Sequence, residues 1–381
     1  MNKIKFLLLC VLPFFAQGQS LSESARISLL TCGGGDDLYS VFGHSAIRVN
    51  DPESGFDMVF NYGTFDFDAP NFYLKFARGK LDYVLSISSF NGFMRTYQYE
   101  ERYVFEQELN LNSEERLLLF EALRTNYMPE NRFYRYDFFY DNCSTRIRDI
   151  LKKVLGDKLD YRFEDVEETD KSFRDYIDDY TFNVPWGDFG IDMALGLPTD
   201  KKVIPFHQMF LPEKMMDAFE RGVITDENGA RPLVSENRML LDLPVRTPEW
   251  QWFTPVQVFW LLFVLTAIFT YVRRSSKGRT FDNILFTVIG LVGIVMVLLW
   301  FATDHTATAY NFNLLWSLPT WLLVAFLPSK SAWRLRFVRL HFILLLAMFV
   351  GWFFWPQALH IAVVPIGLTL MLRVFREYRF G

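Results

Sequence analysis

Cysteine and histidine are scarce, with 3 and 5 among 381 residues. None is spaced as CxxC, HxxxH or a similar ligand set, and neither a P-loop nor a dinucleotide fingerprint is present. A metal or nucleotide cofactor is therefore not expected. Charge is scarce as well. Only 22% of residues are charged while 51% are hydrophobic, which excludes a disordered chain and fits an ordinary soluble enzyme poorly. Basic residues are lacking where a nucleic-acid surface would need them: residues 1–250 carry a net charge of −13 and residues 251–381 carry +8. Nucleic-acid binding by the acidic part is excluded, because a phosphate surface requires an excess of Lys and Arg.

What the chain does contain is long apolar runs. The first lies in residues 1–18. Lys3 and Lys5 precede an apolar stretch of about ten residues, too short to span a bilayer, and Ala16-Gln17-Gly18 offers a small-x-small cleavage site. This predicts a signal peptide with the mature chain starting near Gln19 or Ser20. Leu9 before Cys10 argues against lipid modification of that cysteine. Two cysteines then remain, Cys32 and Cys143, for which a single disulfide is the plain reading in an exported protein.

Five further runs follow, at about 255–272, 284–302, 314–327, 342–355 and 358–372. They predict a five-helix transmembrane domain over residues 251–381. Lys and Arg cluster after the first run (Arg273, Arg274, Lys277, Arg279), the third (Lys330, Arg334, Arg336, Arg339) and the fifth (Arg373, Arg376, Arg379), whereas 303–313 and 356–357 have none. Positive charge on alternate loops places 273–280, 328–340 and the C-terminus in the cytoplasm. Residues 19–250 then lie outside the inner membrane, in agreement with an export signal.

Residues 19–250 show a mixed pattern. Strands are expected at 25–31, 45–50, 57–62, 82–88 and 103–109, and a helix over 113–126 opened by Asn112 with Glu115 as its capping partner. An α+β domain follows, and 223–252 reads as the descent to the membrane. In the stretch after Cys143, residues Ile147, Ile150, Leu151, Val154 and Leu155 recur at helical spacing up to Gly156. With Asp141 or Asn142 as cap, Cys143 falls in the first turn. The positive end of the helix dipole favours thiolate there, and free N–H groups at that end suit an oxyanion. A cysteine so placed is a candidate nucleophile, although a structural role is the commoner one. Its base would be His44, just before an expected strand, or His207, which reads as a core imidazole. The carboxylates of 163–180 read as a solvated face.

The segments Phe42-Gly43-His44-Ser45-Ala46-Ile47-Arg48-Val49, Asn61-Tyr62-Gly63-Thr64-Phe65 and Tyr140-Asp141-Asn142-Cys143-Ser144-Thr145 resemble the periplasmic domain of Lnb-type bacterial lipoprotein N-acyltransferases. So do residues 186–198, and, in the membrane part, His305 with Asn311-Phe312-Asn313-Leu314-Leu315-Trp316. The order of His before Cys also resembles circularly permuted papain-like folds such as lecithin–retinol acyltransferase. The resemblance implies a permuted papain-like domain with Cys143 and His44 as its catalytic pair and Cys143 unpaired. It implies transfer of a fatty acyl chain from a phospholipid, through a thioester, to the α-amino group of a diacylated lipoprotein, with membrane lipids as surroundings. Asn61 and Asp66 are candidates to orient His44, and Tyr62 and Asn142 candidate cleft residues. His305, Asn311 and Asn313, in a loop expected on the same side of the membrane, are candidates for headgroup or lipoprotein contact. A membrane-tethered hydrolase of the same fold, acting on cell-wall peptide or phospholipid, and a non-catalytic scaffold are the other readings.

Overall fold

The computed structural model describes residues 21–65, 68, 70–166, 169–272 and 278–380. The expected signal peptide and cleavage site, Asp66, and Arg273, Arg274 and Lys277 lie outside the described residues.

The N-terminal part is built on an antiparallel sheet of seven strands in the order β10-β5-β1-β2-β3-β4-β6. Its strands are β1 (Arg26–Cys32), β2 (His44–Asp51), β3 (Phe56–Thr64), β4 (Asp82–Ser89), β5 (Val104–Leu109), β6 (Phe133–Arg135) and β10 (Val234–Leu241). A smaller sheet joins β7 (Leu159–Asp160), β8 (Val223–Asp226) and β9 (Gly229–Pro232). The connecting helices are α1 (Phe72–Ala77), α2 (Phe90–Tyr99), α3 (Ser113–Tyr127), α4 (Cys143–Leu155), α5 (Phe173–Thr181), α6 (Pro185–Ala194), α7 (Pro205–Gln208) and α8 (Pro212–Arg221). The five expected strands and the helix at 113–126 are all present, the helix with its Asn112–Glu115 capping box. α7 and α8 are separate helices, the second opened by Pro212, which has no N–H to give to a preceding turn.

β1 is buried on both faces from its second residue on, since the sheet is covered on both sides. Ile27, Leu29, Ile47, Val49, Phe60 and Tyr62 face α3 and α4 in the main core. Leu30, Cys32, Ala46 and Val59 face α2 through Phe93 and Tyr97. The segment 223–252 differs from expectation, because its middle pairs with β5 as the edge strand β10. Charged Glu236 and Arg238 mask that strand, as an exposed edge tolerates charge.

The C-terminal part comprises α9 (Pro255–Val272), α10 (Gly278–Phe301), α11 (Leu314–Ser317), α12 (Trp321–Phe326), α13 (Ala332–Val350) and α14 (Val363–Phe380). Among the described residues, two helices, at Pro255–Val272 and Arg279–Phe301, are long and apolar enough to cross a membrane. The other three apolar runs differ from their expected bounds. The third is broken near Pro319 into α11 and α12; the fourth is the second half of a helix that begins at Ala332; the fifth begins at Val363 and continues through Arg373 and Arg376. Arg334, Arg336 and Arg339 are thus on a helix rather than in a loop. Arg334 is buried against Glu377 at 3.1 Å, and buried Arg373 holds Asp282 at 2.8 Å and Thr270 at 2.7 Å, tying α14 to α10 and α9. Charges buried among apolar helices persist only when paired in this way. Trp316, Trp321, Phe286 and Met348 form the core of this part, while Leu261, Leu265, Ile284, Leu291 and Ile343 are exposed along its outside.

Candidate functional site

The loop before α4 sets the position of Cys143. Oδ1 of Asp137 accepts from the N–H groups of Phe139 and Tyr140, and the backbones of Asp137 and Asp141 bond to each other, which folds the loop back on itself. Asn142 is the cap. Its Oδ1 accepts from the N–H of Ser144 and of Thr145, both at 2.9 Å, while Thr145 Oγ1 accepts from the Asn142 N–H at 2.7 Å. Its Nδ2 donates to the carbonyls of Phe138 and Phe210. Asn142 is therefore fully occupied as a buried helix cap and does not line a cleft. Two N–H groups expected to be free at the helix start are likewise taken, leaving that of Cys143 itself as the first-turn donor for an oxyanion.

The start of β2 packs on this turn. Ser45 Oγ lies 3.0 Å from Ser144 Oγ, and the Ser45 N–H is hydrogen-bonded to the Cys143 thiol. The residue preceding Ser45 is His44. On β3, Asn61 Oδ1 lies 3.4 Å from His44 Nε2 and accepts from it in the tautomer that carries the proton there, while its own Nδ2 donates to the Val59 carbonyl and Ser88 Oγ. Gly63, two residues further, has φ of +83°, and a Cβ there would stand 3.6 Å from both the Cys143 Cβ and the Tyr136 ring. A glycine interrupting an apolar strand is the signal for this close approach; Gly63 and Ser45 stand inside the quoted motif segments without an assigned role, and Tyr136 lies outside them.

Burial dominates the electrostatics. Desolvation lowers His44 to about 4, helped by the nearby Arg102 guanidinium and opposed by the Asn61 contact, so the imidazole is neutral at pH 7. Desolvation also raises the Cys143 thiol above its ordinary value, against the pull of the Ser45 and Ser144 groups. The thiolate expected from the helix dipole is thus not the resting state, because loss of water around the sulfur outweighs the partial charge of one helix end. The pair rests as thiol and neutral imidazole. Cys32, opposite His44 in the register, is a free, buried thiol pushed up to about 12 by desolvation. Cys143 is also free, so the disulfide reading does not hold.

Tyr62 points to the other face of β3, into the main core, where its hydroxyl accepts from Asn126 Nδ2 at 2.8 Å. It is a core residue and not a cleft residue. His207 packs edge-on among Tyr140, Phe173 and Phe206.

The polar loop at 303–313 docks on the N-terminal part. His305 Nε2 is 3.1 Å from the Phe76 carbonyl, and the Asp304 N–H donates to the Arg78 carbonyl at 3.0 Å. Asn311 Nδ2 donates to the Met193 carbonyl at 2.8 Å, and Asn313 Nδ2 to that of Asp192 at 3.1 Å. Asn313 Oδ1 accepts from the Trp316 indole at 3.0 Å, and Gln357 bonds the Leu195 carbonyl and the Phe312 N–H. Asn311 and Asn313 are buried in these bonds, so they hold α6 onto the helical part.

Among the described residues, one group could gather round a metal ion: Asp188, Asp192 and His360, with ligand atoms within 4.8 Å of one another. Asp192 is already engaged by Arg174, whose guanidinium also bonds Asp200 at 3.0 Å and Thr199 at 3.1 Å. A fixed internal cation occupies the position a metal would compete for. Arg174 inside a stretch that reads as solvated is a feature the local pattern conceals.

The fold defines a two-part membrane protein: a mixed α/β domain, in which the start of β2 packs on the helix turn that carries the Cys143 thiol and Asn61 lies against His44, docked on a helical domain. Residues 15–175 match the family model of the Lnb N-terminal periplasmic domain, and residues 247–380 that of the Lnb transmembrane domain. The chain belongs to the Lnb-type family of membrane proteins with a periplasmic region. No curated protein and no solved structure matches the chain.

Proposed function

We propose that the protein is a lipoprotein N-acyltransferase in which Cys143 is the nucleophile, His44 the general base and Asn61 the group that orients it. The observation that carries this reading is the contact of the start of β2 with the first turn of α4, Ser45 on the Cys143 thiol, with Asn61 on Nε2 of the adjacent His44. Membership of the Lnb family supports the acyl-transfer chemistry.

The resting pair is neutral, so attack and proton transfer are coupled. As the Cys143 sulfur bonds the carbonyl carbon of a phospholipid acyl ester, its proton passes to His44. The Cys143 N–H faces the oxyanion that forms. Collapse breaks the ester C–O bond, and His44 returns the proton to the departing glycerol oxygen, leaving a thioester. The α-amine of a diacylglyceryl-cysteine then attacks that carbonyl, gives a proton to His44, and expels the sulfur, which takes the proton back. The chain's own groups complete this ping-pong cycle, and no metal or cofactor is called for.

His on a strand ahead of Cys on a helix, with Asn on the neighbouring strand, supports a permuted papain-like arrangement. The basic residues at the ends of α10, α13 and α14 support a cytoplasmic C-terminus in the inner membrane, with the site facing the periplasm beside its lipid substrates. In a deletion strain, the expected result by mass spectrometry is lipoproteins that are diacylated with a free α-amine, restored to the triacyl form by the wild-type chain and not by Cys143→Ala. Triacylated lipoproteins in the deletion strain would end this reading. Water opening the thioester in place of the amine, read as fatty acid release, would favour the hydrolase.

A further inference from the structure

Helix α1 is six residues long and presents Tyr73, Leu74 and Phe76 outward, exposed to 80%, 58% and 53%. An exposed apolar face on so short a helix is costly in water and needs a cover. Its position indicates one. The Phe76 and Arg78 carbonyls at its C-terminal end are bonded to His305 and Asp304, which follow the end of α10 by only a few residues. Lys80 adds an ion pair to Asp304 at 3.8 Å. That end of the helical domain already carries an exposed aromatic belt, Phe301 and Tyr310 there and Trp250, Trp252 and Phe253 before α9. Aromatic residues at this depth mark the boundary between hydrocarbon and headgroups. α1 is fastened to the belt, and Lys75 and Arg78 beside its apolar face complement lipid phosphates.

Inward from α1, aromatic rings form a continuous file toward the thiol. Phe72, on the buried side of α1, lies 5.8 Å from Phe65; Phe65 lies 5.3 Å from Tyr83; Tyr83 stacks on Tyr136 at 4.2 Å. Tyr136 then packs against Gly63, whose other neighbour is the Cys143 Cβ.

We infer that α1 is a membrane-surface helix seated in the outer leaflet boundary, and that the file Phe72–Phe65–Tyr83–Tyr136 is the wall along which a phospholipid acyl chain reaches Cys143. The occupant is the lipid surface itself, since the polar bonds that fix α1 are to the loop emerging from the membrane. The acyl-chain route rests on the acyl-transfer reading above; the seating of α1 does not.

The test uses the full chain in phosphatidylethanolamine and phosphatidylglycerol vesicles. Nitroxide labels are placed through Tyr73→Cys, Leu74→Cys and Phe76→Cys, Cys32 and Cys143 being buried, with Leu265→Cys on the outside of α9 and Glu130→Cys on the α3–β6 loop as references. Labels at 73, 74 and 76 should collide preferentially with oxygen, as at 265. Preference for a water-soluble nickel complex, as at 130, overturns the seating. A diazirine-tipped phospholipid is then photolysed with the Cys143→Ala chain, and adducts are expected within 65–83 and on Tyr136. Adducts confined to the outer faces of α9 and α10 overturn the route. If no acyl-thioester forms on Cys143 in the wild-type chain while α1 remains oxygen-accessible, the transferase reading falls and the seating of α1 stands.

Discussion

His44 Nε2 and Asn61 Oδ1 lie 3.4 Å apart on adjacent strands. Continuing the register Ile47↔Phe60 puts Asn61 opposite Ala46, so His44 is its diagonal neighbour, two residues along on the same face of the sheet. The amide is itself held by the Val59 carbonyl and Ser88 Oγ, so the group against the imidazole is fixed.

Replacing Asn61 by Ala should lower kcat for acyl transfer by about 10- to 100-fold, a part of the contribution of a positioned base. The thermal midpoint should change little, because Asn61 itself is only half-buried. A variant with unchanged kcat would remove Asn61 from the mechanism.

Cys143→Ser and Cys143→Ala should both abolish transfer and the covalent intermediate while membrane insertion is retained. Intact-mass measurement after incubation with phospholipid vesicles is the check: an acyl adduct on the wild-type chain and none on either variant.

The pH dependence has a defined sign. The folded-state value of His44 is about 4 and its ordinary value is 6.5, so between those two the unfolded chain binds more protons. His44 contributes stability that is complete above about pH 6.5 and is lost as pH falls toward 4. For the same reason the acid limb of kcat/KM should lie well below 6.5, since the free base stays neutral. A limb at 6.5 measured on the free enzyme would show that water reaches the imidazole.

Gly63→Ala forces an L-residue into φ of +83° beside Cys143 and Tyr136. The backbone penalty of roughly 1–2 kcal/mol should appear as a lower unfolding midpoint, since the added methyl meets the Cys143 Cβ and the Tyr136 ring only at ordinary contact distance.

Arg174→Ala leaves Asp192 and Asp200 buried without their counter-charge. Breaking such a network costs about 3–5 kcal/mol, and α6 and the segment at 356–362 should loosen together. Protease sensitivity at residues 185–200, measured in detergent, should rise sharply in this variant and not in exposed Lys171→Ala.

Where period and punctuation act locally, the sequence is legible. The short strand-like stretches of β1 to β5, the Asn112–Glu115 box and the stripe from Ile147 to Leu155 all specify elements whose side chains meet their neighbours within a turn or a pleat. The placement of Cys143 in a first turn belongs to the same category, since Asn142, Gly156 and the stripe between them are contiguous. Charge at Glu236 and Arg238 concealed β10, and Pro319 divided an apolar run, because there the deciding contacts are with β5 and with α10 rather than along the chain.

Composition and periodicity determined by themselves that an acidic, mixed domain precedes a basic, apolar one, that a cysteine opens an amphipathic helix, and that a histidine opens a strand. Only the tertiary structure decided which residue lies against that histidine, that Asn142 caps rather than lines, that Asn311 and Asn313 join the two parts, and that the thiol rests protonated. The physical reason is the range of the forces. Capping and amphipathicity are settled over four or five residues, whereas desolvation and cross-strand contact depend on what covers a side chain from distant parts of the fold.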